Sequence, residues 1–247
     1  MTSALQTEPD DDNDLAARYR TVCSAIRKTE QQFGRVTDSV TLVAVSKTRP
    51  ADDIRALSTL GHRNFAENKI QEAMSKINQL TDITDLCWHF IGSIQSNKCR
   101  DIAHHFDWVH SVDRIKIARR LSEMRPLDRA PLNVLLQVNL QGENTKSGVD
   151  PATLENLARE VAGFPNIQLR GLMAIPEPEQ AFDVQRRVFG SLRALQSLLN
   201  KKSFDLDVLS MGMTGDMRAA IAEGATHVRV GTAIFGPRAY PDTSPAR

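Results

Sequence analysis

VTLVAVSKT, residues 40–48, decides how the rest of the chain is read. Every side chain from Val40 to Val45 is apolar or β-branched. A short run of that kind without polar alternation fits a strand buried on both faces, as in parallel sheets covered by helices. The run leads into Lys47, whose ammonium is costly to take out of water. Either that side chain reaches solvent, or the strand end has a use for an amine.

Outward from this stretch the pattern repeats. Apolar runs at 40–46, 62–65, 88–92, 108–112, 132–139, 169–175, 207–212 and 227–231 read as buried strands. Helical patterns fill the gaps at 52–60, 67–80, 96–106, 113–123, 151–163, 181–200 and 216–223. The clearest of them spaces Val188, Leu192, Leu195 and Leu199 along one face. Pro50, Pro151 and Pro176 fall at strand-to-helix joints, where a fixed φ is tolerated in the first turn. Eight strands alternating with helices predict a parallel α/β sheet closed into a single (β/α)8 TIM barrel, since closure leaves no edge strand. An open doubly wound sheet is the competing architecture. An extra helix over 14–33, ended by Gly34, precedes the barrel. The expected organisation is a disordered tail over 1–13, one barrel domain over 14–240 and a short tail over 241–247.

Composition narrows the function. The 247 residues carry 31 basic and 30 acidic side chains, a net charge of +1, so nothing asks for nucleic acid or an anionic membrane. Cys23, Cys87 and Cys99 form no CxxC pair and suit a reducing compartment. The acidic start, MTSALQTEPDDDND, lacks the basic-then-apolar order of a secretory signal. A cytoplasmic protein is expected. No HExxH, paired CxxC or EF-hand pattern occurs, and no metal is predicted.

A barrel of this type works at the C-terminal ends of its strands. That rule selects Ser46 and Lys47, Asn64 to Asn68, His89 to Gln95, Asn139 to Ser147, Met173, Ser210 to Asp216, and Gly231 with Thr232. The last two loops say most. LSMGMTGDMRAAI and VRVGTAIFG each pass from a strand through glycine and a hydroxyl residue into a helix. Amide N–H groups at such turns, approached closely because glycine has no Cβ, suit a phosphate. Lys47, placed on the opposite side of the barrel mouth, would face this cradle. Position alone leaves it open between a solvated lysine and a desolvated nucleophile. An amine facing a phosphate cradle suits a phosphorylated aldehyde, of which pyridoxal phosphate is the commonest. Arg229 shares a strand face with Gly231 and must be paired, to a ligand or to a neighbouring strand. His89 reads first as a core histidine, with a cofactor neighbour as the other reading. Lys146, in GENTKSG, reads as a loop lysine.

Together VSKT, NFAENKIQE, WHFIGSIQSNK, NTKSG, RGLMAIP, LSMGMTGDMRAAI and VRVGTAIFG resemble the pyridoxal-phosphate-binding homeostasis family, itself similar to the barrel domain of alanine racemase. The likeness spans about residues 14 to 240. It implies pyridoxal phosphate held as a Schiff base on Lys47, phosphate contacts from Ser210, Thr214, Gly231 and Thr232, and Arg229 near the pyridine nitrogen. The candidate cofactor contacts are thus Lys47, Asn68, His89, Met173, Ser210, Met211, Thr214, Arg229, Gly231 and Thr232. Ala66 and Thr214 depart from the family's usual glycine and serine. Threonine keeps the hydroxyl.

Racemisation needs a base on each face of the substrate carbon. The racemases resembled here take the second from a tyrosine of an additional β domain. The chain's two tyrosines are Tyr19, in the first helix, and Tyr240, near its end, and little sequence follows the last barrel helix. The expectation is a non-catalytic binder that buffers pyridoxal phosphate and releases it to apo-enzymes, monomeric, with no nucleic-acid or membrane partner. A pyridoxal-phosphate-dependent racemase or lyase for a small amino acid is the alternative. A barrel binding some other phosphate, with Lys47 as a clamp, is the third reading.

Overall fold

The computed structural model describes residues 15–142 and 147–237. The expected tails and Lys146 lie outside them. Eight parallel strands close in sequence order: β1 (Thr41–Val45), β2 (Asn64–Glu67), β3 (Cys87–Phe90), β4 (Trp108–Val112), β5 (Leu132–Gln137), β6 (Ile167–Met173), β7 (Val208–Ser210) and β8 (His227–Val230). Closure is direct, with Thr41 to Ala44 of β1 registered against His227 to Val230 of β8.

Helix α1 (Leu15–Gln32) precedes the barrel and packs between α2 (Ala51–Thr59) and the last two helices, α8 (Met217–Ala222) and α9 (Thr232–Phe235). It ends where Gly34 takes a φ of +64°. The remaining helices alternate with strands as α3 (Ile70–Gln79), α4 (Cys99–His105) with a preceding 3-10 turn over Ser96–Lys98, α5 (Ile115–Met124), α6 (Leu154–Ala162) and α7 (Phe182–Asn200). Among the described residues no helix is long and apolar enough to cross a membrane.

Strand alternation sorts the apolar residues into two layers. On β1, Leu42 and Ala44 join the large core between sheet and helices, whereas Val43 and Val45 turn inward with Ala66. Leu135, Met173 and Val208 form a second inward cluster against Trp108. The rest of the interior is polar and buried: His89, His110, Ser210, His227 and Arg229.

One contact fixes the β6–β7 spacing. A Cβ on Gly171 would lie 1.8 Å from the carbonyl oxygen of Val208. Gly171→Ala therefore forces the strands apart, and a loss of about 3 kcal/mol or more is expected in urea unfolding. A loss under about 1 kcal/mol would show that the strands part easily.

Candidate functional site

The cavity at the C-terminal mouth of the barrel has a volume of about 490 Å3, within the usual range for small-ligand sites. Lys47, Thr48, Arg49, Asn68, Gly92, Ser93, Thr214, Gly215, Arg229, Gly231 and Thr232 line it, with Val45, Ile91, Ile175, Met213 and Phe235 as apolar wall. Lys47, Arg49 and Arg229 are cations; among the described residues no aspartate or glutamate lines the cavity.

Inward parity carries on from Val43 and Val45 to Lys47, and Ser46 N–H continues the ladder to Ala66 O at 3.0 Å. Because the barrel closes β8 onto β1, Lys47 stands beside the strand that carries Arg229 and Gly231. It does not stand across the mouth from them, as a count along the sequence suggests.

The two glycine loops form one wall. Gly212 has a φ of +93°, and a Cβ there would come 2.5 Å from the Ala220 Cβ, so only glycine lets α8 seat on the turn. Asp216 closes that turn by accepting from Met213 N–H at 2.5 Å, and burial pushes its carboxyl up from the usual range. A Cβ on Gly231 would meet Val45 O at 3.3 Å. The first bonds of α9 run from the amides of Ile234 and Phe235 to Gly231 O. The preceding amides, of Thr232 and Ala233, are those that a helix start leaves without an intrahelical acceptor.

Arg229 forms the floor. It is 3 % exposed, and burial lowers its pKa to about 10, so it stays charged at neutral pH. One terminal nitrogen donates to Ser210 Oγ at 2.7 Å and the other to Ala174 O at 3.0 Å. Below it a buried polar line continues. Ser210 Oγ lies 2.8 Å from His110 Nδ1, His110 Nε2 lies 2.9 Å from His89 Nδ1, and His89 Nε2 lies 3.1 Å from Asn64 Oδ1. Arginine can only donate and Asn64 Oδ1 can only accept. One assignment satisfies every link: each group donates away from Arg229, with both imidazoles neutral. Burial accordingly holds His89 and His110 well below the ordinary histidine range.

Of the residues selected from sequence, Lys47, Asn68, Thr214, Arg229, Gly231 and Thr232 line the cavity. Four do not. Ser210 and His89 lie below Arg229 in the polar line, Met173 packs in the barrel interior, and Met211 belongs to the core outside the sheet. Strand ends point to a face of the barrel but do not resolve depth along it. Arg49, Ile175 and Phe235 were missed. Arg49 reaches the loop after α9, donating to the carbonyls of Gly236 and Pro237. A second cation two residues after Lys47 was the signal available for it.

The donor set fits a phosphorylated aldehyde: an amine, a fixed guanidinium, two small hydroxyls and glycine turns that a Cβ would fill. Comparison with known proteins agrees. The model of the alanine racemase N-terminal domain matches residues 23–239. The pyridoxal phosphate homeostasis protein of Pseudomonas aeruginosa is 54 % identical over 226 residues, covering 92 % of this chain and 96 % of that protein. Its Escherichia coli counterpart is 46 % identical over 230 residues, covering 92 % and 98 %. PipY of Synechococcus elongatus, solved with PLP bound, superposes with a TM-score of 0.80 at 38 % identity, covering 90 % of this chain and all of that one. Alanine racemase of Corynebacterium glutamicum, at 18 % identity and a TM-score of 0.63, shares the fold over 91 % of this chain and 63 % of its own. With these matches covering nearly the whole barrel, the chain belongs to the pyridoxal phosphate homeostasis protein family, which is built on the alanine racemase N-terminal domain.

Proposed function

We propose that this protein binds pyridoxal 5'-phosphate covalently through Lys47 and serves vitamin B6 homeostasis as a carrier rather than an enzyme. The observation that carries the reading is the cavity's composition among the described residues: three cations and no carboxylate, with an amine beside a glycine-built anion cradle. When bound, pyridoxal phosphate supplies an aldehyde that condenses with amines and a phosphate dianion.

The chain's own residues then divide the work. Thr214 and Gly215, with Gly231 and Thr232, would bring backbone amides and the two threonine hydroxyls to the phosphate, while the Met213 amide is held by Asp216. Arg229, always a donor and held from below, would offer a positive charge to the pyridine nitrogen and so disfavour its protonation. An unprotonated ring withdraws electrons weakly, which favours storage over chemistry. Lys47, Arg49 and Arg229 are the ionisable groups of the described cavity wall, and none of these is a second base within reach of a substrate carbon. Cys23, Cys87 and Cys99 as free thiols support a cytoplasmic setting. We expect a monomer that gives its cofactor up to apo-enzymes.

The test is incubation of purified, cofactor-loaded protein with amino acids and, separately, with an apo-enzyme that needs pyridoxal phosphate. Reactivation of the apo-enzyme without amino-acid turnover is expected. Sustained racemisation, decarboxylation or transamination would overturn the carrier reading.

A further inference from the structure

Beneath Lys47 lies a charged cluster that does not line the cavity. Lys76 of α3 is 5 % exposed and extends its ammonium under the turn after β1. Its Nζ donates to Ser46 O, Glu67 Oε1 and Glu72 Oε1, each at 2.7 Å. An ammonium has three N–H groups, so these three acceptors use it fully. Glu67 Oε1 also accepts from Ser46 Oγ at 2.7 Å, and Glu72 Oε1 accepts from the amide of Thr48. The residues on either side of Lys47 are therefore tied at three points: the carbonyl and hydroxyl of Ser46, and the amide of Thr48.

That amide belongs to a backbone outlier. Thr48 has a φ of +65°, in the left-handed region that a β-branched residue rarely enters. Such conformations persist only where the surroundings over-determine them, and they gather at functional sites. This one sits immediately after the lysine that lines the cavity. The cluster is also poorly arranged for stability alone. Two carboxylates share one buried ammonium, and Glu67 Oε2 is buried with no hydrogen-bond partner.

We propose that Lys76 and Glu72 are positioning residues for Lys47. The ammonium fixes the carbonyl at the end of β1, the Glu72 carboxylate holds the left-handed turn at Thr48, and together they aim the Lys47 amine over the anion cradle. The inference deepens the proposed function and rests on Lys47 as the attachment point. In the step it serves, the amine adds to the aldehyde carbon to form a C–N bond. The aldehyde oxygen leaves as water with the two amine protons. Lys76 and Glu72 exchange no proton in it; they set the approach.

The experiment measures the rate of covalent capture of pyridoxal 5'-phosphate by absorbance. In parallel it measures affinity for pyridoxine 5'-phosphate, which keeps ring and phosphate but carries an alcohol in place of the aldehyde. Glu72→Ala is expected to slow capture about tenfold or more while affinity for the alcohol stays within about twofold. Glycine enters the left-handed region freely, so adding Thr48→Gly to Glu72→Ala should return capture to within about threefold of the parent. Lys76→Met should show the same selective defect, with circular dichroism reporting its folding. If that variant fails to fold, the Glu72 and Thr48 pair decides alone. Unchanged capture by Glu72→Ala, equal losses for aldehyde and alcohol, or a deeper defect on adding Thr48→Gly would each overturn the proposal. Absence of a covalent adduct in the parent protein would remove the attachment reading and this inference with it. Normal capture in the parent beside an unaffected Glu72→Ala removes this inference alone.

Discussion

A Lys47→Ala protein leaves no borohydride-stable pyridoxal adduct, shows no visible absorption band, and still takes up pyridoxine 5'-phosphate. The expectation follows from the division of the site between strands. The amine comes from the end of β1, whereas the anion cradle is built by the loops after β7 and β8, which lose nothing in this variant. A lysine held at the site acts at a high effective concentration, so capture should fall by at least about a thousandfold. Lys76 cannot stand in, because its ammonium is buried and engaged by three oxygens. Mass spectrometry of the reduced protein is the check. An adduct of undiminished yield on another lysine would dismantle the assignment, as would loss of pyridoxine phosphate binding together with capture.

The second large effect concerns acid. Four buried imidazoles are held neutral by desolvation: His62 and His227, each with a pKa lowered to about 4, and His89 and His110, lowered well below the ordinary value. Neighbouring cations add to the shift, Arg63 for His62 and Arg170 for His227. Unfolding returns all four to a value near 6.5, so the unfolded chain binds more protons at pH 5 than the folded one. Their stabilisation is complete above about pH 6.5 and is lost as the pH falls towards 4. Glu67 and Asp216 act in the opposite sense, since burial raises both carboxyl pKa values and the folded state gains protons first. Four groups against two leave a net loss of unfolding free energy as the pH falls from 7 to 5. Urea titrations across that range measure it. His227→Gln should remove about one proton from the slope, roughly 1.4 kcal/mol per pH unit. A flat profile would mean that the imidazoles are solvated or charged in the folded protein.

The barrel was legible because short stretches rich in apolar residues alternate with helical patterns along the chain. The run over 108–112 coincides with β4 as observed. The run over 62–65 falls two residues early, because β2 ends on Glu67, a buried charge whose partner, Lys76, lies on the following helix. Local hydropathy reads such a glutamate as an exit from the strand. The expected helix over 67–80 begins only at Ile70 for the same reason. At the site, the glycine and hydroxyl pattern located the cradle. Closure in sequence order puts β8 beside β1, a consequence of the expected barrel that the reading of Lys47 as lying across the mouth overlooked. For Arg229 the two sequence-level partners were a ligand and a salt bridge. Within the protein it is held by a serine hydroxyl and a backbone carbonyl, a pairing that no spacing rule encodes.

That pairing bears on how strongly the floor of the cavity attracts an anion. A buried guanidinium normally needs a countercharge, and a carboxylate bonded to it would cancel most of the field it exerts on a ligand. Here Ser210, His110, His89 and Asn64 are aligned so that each lone pair faces Arg229 and each hydrogen points away from it. The column stabilises the cation with oriented dipoles and carries no net charge of its own. Asp216, bonded to the Met213 amide, offsets part of this charge through space, and the remaining positive potential faces the cavity floor.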